Sequence, residues 1–103
     1  MDDFKRLAKI FKENFPEYLI RVRRVKMASG DAGDCECISK SKNEFLIRIN
    51  KDIEKDEQLL WLIHECAHVI SWKYKGDDHS LHWGKAYSKV YNIYLEKFIG
   101  DEK

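Results

Sequence analysis

The sequence is poor in the features that divide, brace or anchor a chain. Pro16 is its only proline, and its five glycines are scattered over 103 residues. No linker, low-complexity tract or internal repeat breaks it, and a chain of this length has no room for a second core, so residues 1–103 are expected to form a single domain. It has three cysteines, an odd number where a disulfide framework wants an even one; the expectation is free thiols in a reducing, cytoplasmic setting. No apolar run approaches the roughly 18 residues that span a bilayer. The start, Met-Asp-Asp-Phe-Lys-Arg, lacks the apolar segment of a secretory signal. A formal net charge of +1 argues neither for nor against a nucleic-acid partner. What the chain does have is apolar bulk: 44% hydrophobic residues, with three Trp, five Tyr and five Phe. That is enough for a modest core and excludes a disordered chain.

Phe4, Leu7, Ala8, Phe11 and Phe15 form one apolar stripe at helical spacing, with Asp2 or Asp3 as cap and Pro16 as stop. Residues 18–27 predict a strand whose alternation slips near Arg23-Arg24, as a bulge would cause. Ser29 to Gly33 is a turn, and residues 35–39 and 45–49 are two further strands joined by a hairpin loop over Lys40 to Glu44. Residues 53–74 are the strongest helical segment, capped by Asp52, with Glu54, Asp56 and Glu57 at the positive end of its dipole. Leu59 to Ile63 are apolar nearly all round, so this helix is central and buried, and Gly76 ends the unit. A last helix runs from about His79 to Ile99. The expected class is α+β: an N-terminal helix, a small three-stranded antiparallel sheet, a buried central helix and a C-terminal helix.

The central helix carries His64-Glu65-Cys66-Ala67-His68. Residues i and i+4 leave one helix face together, so His64 and His68 offer two imidazole nitrogens from one rigid element. That is half of a zinc site, and Glu65 lies where it reaches a metal-bound water rather than the metal. Zinc brings the pKa of such a water near 7, and Glu65 can take its proton as a carbonyl is attacked, then pass it to the leaving amine. The plainer reading is two core histidines and a salt-bridged Glu65, which leaves polar groups that are costly to bury. A catalytic zinc needs a third protein ligand and an open position. The remaining histidines are His79 and His82. Relative to the apolar face of Trp83, Tyr87, Val90, Tyr91, Tyr94 and Phe98, His79 lies about 70° from the centre and His82 about 130°, at ~100° per residue. His79 is therefore the expected third ligand, four residues before a Trp83 ring that can lock its position. His82, Asp77 and Asp78 are the alternatives, and Glu96 projects to the far side of the helix.

The pattern His-Glu-x-x-His, a short loop, then His-x-x-x-Trp with a downstream Tyr resembles SprT-like zinc metallopeptidases, most of all their compact phage and bacterial members. The resemblance covers roughly residues 44–95. It implies a minimal zincin fold, a Zn2+ cofactor held by His64, His68 and His79, Glu65 as base, and a protein or peptide substrate. It also implies that the strand at 44–50 is the edge onto which a substrate peptide adds. Ser80 stands where that family commonly has glycine. The metzincin extension would need a glycine where Ser71 stands and a histidine where Tyr74 stands. No Cys follows Cys66, so the zinc ribbon that DNA-acting relatives often carry is not expected.

An oxyanion needs a partner besides zinc. His82 is the first candidate, ahead of Tyr74, Tyr87 and Tyr91, whose hydroxyls suit satisfied core positions. Arg21, Arg23, Arg24 and Lys26, with Lys5, Arg6, Lys9 and Lys12 on the first helix, form a candidate contact surface for nucleic-acid phosphates or simply a solvated face. Cys35 and Cys37 share a strand face as buried or half-buried thiols. Two other functions remain open on sequence alone. One is a nucleic-acid- or protein-binding module whose zinc is structural, closed by four protein ligands. The other is a zinc hydrolase acting on a non-peptide bond.

Overall fold

The computed structural model describes residues 2–73 and 81–100. Among these residues three helices and three strands follow in the order α1 (Asp3–Asn14), β1 (Leu19–Val25), β2 (Gly33–Ser39), β3 (Glu44–Asn50), α2 (Lys55–Ser71) and α3 (Leu81–Ile93). A π-helical stretch, Tyr94–Ile99, continues α3. Helix α1 starts where the side chain of Asp2 accepts a hydrogen bond from the Lys5 amide at 2.8 Å. That bond satisfies an orphan donor, and with the Arg24 guanidinium at 2.7 Å it holds the Asp2 carboxyl below its ordinary pKa. The stripe Phe4, Leu7, Ala8 and Phe11 is buried as its spacing requires.

The sheet order is β1-β3-β2. The β2–β3 hairpin is antiparallel, but β1 pairs with β3 in parallel, from Leu19↔Glu44 to Val25↔Asn50. The sheet is therefore mixed, not all antiparallel. The cause is the seven-residue connection 26–32, long enough for β3 to lie between β1 and β2. Buried Asn50 ties that connection down: its amide donates to Ala32 O at 2.9 Å and its Nδ2 to Asp31 O at 2.7 Å. The Ala28-to-Asp31 turn places Gly30 at φ +93°, a backbone conformation open to glycine. Strand β1 keeps an unbroken register over Leu19–Val25, so the phase slip near Arg23-Arg24 is not a bulge; the irregularity lies in β2, between Cys37 and Ser39. Alternation alone reports faces, not strand order, and Val25 is half-buried at the strand end rather than turned by a bulge.

One further correction follows from the order. Strand β3, expected as the free edge, is central and paired on both sides. Among the described residues the free edges belong to β1 and β2. Helix α2 begins at Lys55 with Glu54 as N-cap and no side-chain cap bond, so Asp52 does not cap it. The approach is held instead by the buried Gln58, whose Nε2 donates to Lys51 O at 3.2 Å and Ile53 O at 3.0 Å. The helix ends at Ser71; Tyr74, Gly76, Asp77, Asp78, His79 and Ser80 lie outside the described residues.

Helix α2 lies across β2 and β3, with α1 and α3 on its other sides. Ile47, Ile49, Leu62, Ile63, Cys66, Val69 and Val90 meet there, almost fully buried. No described helix is long and apolar enough to cross a membrane.

Candidate metal centre

On α2, Leu59, Leu62, Ile63, Cys66 and Val69 are buried, Glu65 is buried with them, and His64 and His68 are half-buried. The two imidazoles meet with Nε2 atoms 3.2 Å apart and ring planes at 69°. At that separation two neutral rings either share a proton or turn both lone pairs on one cation. Two ligands of a tetrahedral ion with Zn–N distances of about 2.0–2.1 Å sit about 3.3 Å apart, so this pair fits a zinc edge. Aromatic rings flank it: Trp61, one turn before His64, lies 4.7 Å from that ring, and Trp83 of α3 lies 5.0 Å from His64 and 5.6 Å from His68. Such packing restricts both imidazoles to few rotamers.

Glu65 is turned toward β2 and is only 4% exposed. Burial, and then the charge of Asp34, push its carboxyl from 4.5 up to about 7. Burial, and then Glu65, push the half-buried Cys35 thiol up, and burial does the same for Cys66. All three cysteines are free, as expected. Asp34 itself is held by a two-pronged ion pair with Arg48, at 2.8 and 2.7 Å. Gly33 lets β2 lie close against Arg48 and Ile49 of β3, next to Glu65. A Cβ there would meet Ile49 Cδ1 at 2.9 Å and Arg48 O at 3.0 Å, with Glu65 Cγ at 3.6 Å. Gly33→Ala is expected to destabilise the protein by about 1–3 kcal/mol through overpacking. Urea denaturation would show it, and an unchanged midpoint would mean that β2 yields freely.

The structure thus brings His64 and His68 together, while Glu65, next in the chain, is buried against β2. Among the described residues no third His, Cys, Asp or Glu joins them, and His79 lies outside those residues. His82 is exposed and lines a different cleft, with Tyr18, Lys85 and Lys89. Neighbours on a helix are turned by about 100°, so the turn that aims Trp83 at the histidines carries His82 to the next flank. Tyr87 and Tyr91 continue from Trp83 in a stair of rings, with centroids 5.1 and 5.9 Å apart. Glu96 is exposed on the π-helical stretch. The basic cluster is divided between faces: Arg24 reaches Asp2 and lies over the Phe4 ring, Arg21 pairs with Glu44 at 3.0 Å, and Arg23 and Lys26 are exposed.

Sequence reasoning did not find Gly33, Asp34 and Cys35 as the wall behind Glu65. They stand about thirty residues away in the chain and carry no spacing signal. Trp61 was within reach of it, three residues before His64 on the same helix. No family model matches the chain, and neither do any curated protein or solved structure.

Proposed function

We propose that this protein is a zinc-dependent metallopeptidase in the manner of the SprT-like enzymes, with His64, His68 and His79 holding the metal. The observation that carries the reading is the 3.2 Å separation of the two Nε2 atoms beside a buried carboxyl that titrates near neutrality. A bound zinc ion supplies Lewis acidity, polarising a carbonyl and acidifying water. Glu65 accepts the proton of the attacking water and returns it to the leaving amine; a carboxyl displaced toward neutral pH suits both transfers. Trp61 and Trp83 hold the imidazoles in place. A peptide substrate is favoured over a non-peptide one by the free edge of β2, whose residues 33–35 stand against Glu65 and whose outer N–H and C=O groups can accept an extended strand.

Elemental analysis of the untagged protein tests the reading. The expected result is about one zinc per chain, lost with a strong chelator and restored by added zinc. A ratio near zero that added zinc does not raise would end the metallopeptidase proposal.

A further inference from the structure

Of the two free edges of the sheet among the described residues, only that of β2 stands beside Glu65; the edge of β1 lies on the other side of β3. Leu19 N–H donates to Asn43 O at 2.8 Å, and Val25 O accepts from Lys51 N–H at 2.9 Å. Both bonds run toward the β3 side. In a parallel pair, residues bonded to the neighbour alternate with residues whose N–H and C=O point away from it. Ile20, Val22 and Arg24 therefore turn three amide donors and three carbonyl acceptors outward, and no described residue bonds to them. Space for a further strand lies beside them. A groove of about 390 Å³ between the last turn of α1 and the start of β1 is lined by Lys12, Pro16, Leu19, Ile20 and Arg21, with no acid among its described walls.

Charge along the strand decides what fits there. Arg21 is held by Glu44 at 3.0 Å and Arg24 by Asp2 at 2.7 Å. Arg23 stands opposite Arg48 of β3, whose own partner is Asp34. Arg23, Lys26 and Lys12 are exposed and have no ion pair among the described residues. A second copy is a poor partner for this edge. Antiparallel pairing about Val22 would set Arg21 of each copy against Arg23 of the other, and like charges directly opposite destabilise a sheet. A phosphodiester backbone carries acceptors only and leaves the three carbonyls unmet. A peptide backbone supplies donors and acceptors at strand spacing.

We propose that the free edge of β1 docks an extended acidic peptide segment of a partner protein, with alternate carboxylates beside Arg21 and Arg23 and apolar side chains beside Ile20 and Val22. The site does not rest on the metallopeptidase reading, because β3 separates it from β2 and Glu65.

Amide hydrogen exchange of the full chain, with a capped octapeptide alternating glutamate and valine as probe, tests it. Exchange at Ile20, Val22 and Arg24 is expected to slow at least about tenfold at saturation. Of two analogues, N-methylated at the glutamates or at the valines, one is expected to bind at least about tenfold more weakly, since it loses the donors that face the edge. R23E/K26E, altering only exposed side chains, is expected to keep the spectrum of the folded protein and to weaken the glutamate peptide by a similar factor. Full affinity in the double variant or in both analogues would overturn the proposal, as would slowing confined to β2 or no slowing at any soluble concentration of peptide. Slowing of the same amides by protein concentration alone would overturn it in favour of a second copy. Binding of an oligothymidylate where the peptide does not bind would overturn it in favour of a nucleic-acid surface.

Discussion

Glu65→Gln is expected to leave zinc in place and to lower hydrolysis of a denatured protein or peptide library by about three orders of magnitude, within the range that general acid–base groups contribute. Glutamine keeps the shape and buried volume of the side chain but can neither take nor return a proton. The comparison therefore separates proton transfer from packing. Zinc content measured on the same samples guards against a trivial loss of the metal. Activity that persists in a zinc-loaded E65Q protein would remove Glu65 as the base. The same variant has a second signature in metal-free protein. The folded carboxyl titrates near 7 against an ordinary 4.5, so the folded state holds this proton more tightly than the unfolded one. The stability it confers is complete below pH 4.5 and is lost as pH rises through 7. Above that pH the wild type carries a buried charge that E65Q lacks. E65Q is thus expected to be more stable than wild type at pH 8 by about 2 kcal/mol, allowing for solvent reaching the cleft. Chelator-treated samples melted at pH 8 and pH 5 would show a gap that narrows on acidification. A gap of constant size would mean that Glu65 is not displaced.

The second large effect concerns the third ligand. His79→Ala is expected to weaken zinc binding by more than about a hundredfold, since even the outer partners of metal ligands are worth 10–100-fold, whereas His82→Ala should change it by less than about threefold. Two imidazoles alone give a weak site, and no third donor joins His64 and His68 among the described residues. His82 belongs to the cleft beside Lys85 and Lys89. Competition with a chromophoric chelator measures both variants, and circular dichroism checks that each is folded. The opposite order would transfer the ligand role to His82. Equal affinity in both would remove a three-histidine site and favour a metal held by other groups.

Much of the scaffold was legible because its signals are local. The stripe Phe4 to Phe11 announced α1 and its buried face, and the apolar segment around His64 announced a buried helix. The i, i+4 spacing of His64 and His68 put two nitrogens side by side before any coordinates. What was not legible depends on contacts between distant segments. Alternation marked three strands but could not tell that β3 enters between the other two, which turned the expected edge strand into the central one. The cap of α2 was misplaced because Asp52 competes with a device no capping pattern describes, a buried Gln58 that holds the carbonyls of the preceding loop. Nothing near Glu65 in sequence tells that Asp34 and Cys35 stand behind it. The charge run at 21–26 read as one cluster because strand alternation, which sends Arg24 to the opposite face from Arg21 and Arg23, was outweighed by simple proximity.

The insertion of β3 between β1 and β2 also constrains how the chain acquires its shape. Strand β1 is made first, but its partner among the described residues lies about twenty-five residues downstream, so it cannot pair until β3 has been made. The hairpin, with a short loop, closes at little entropic cost; the parallel pair closes a much longer one. Mutations in the hairpin should therefore slow refolding. Mutations at Ile20 and Val22 should mainly speed unfolding, so that the N-terminal strand governs how long the folded molecule lasts rather than how fast it forms.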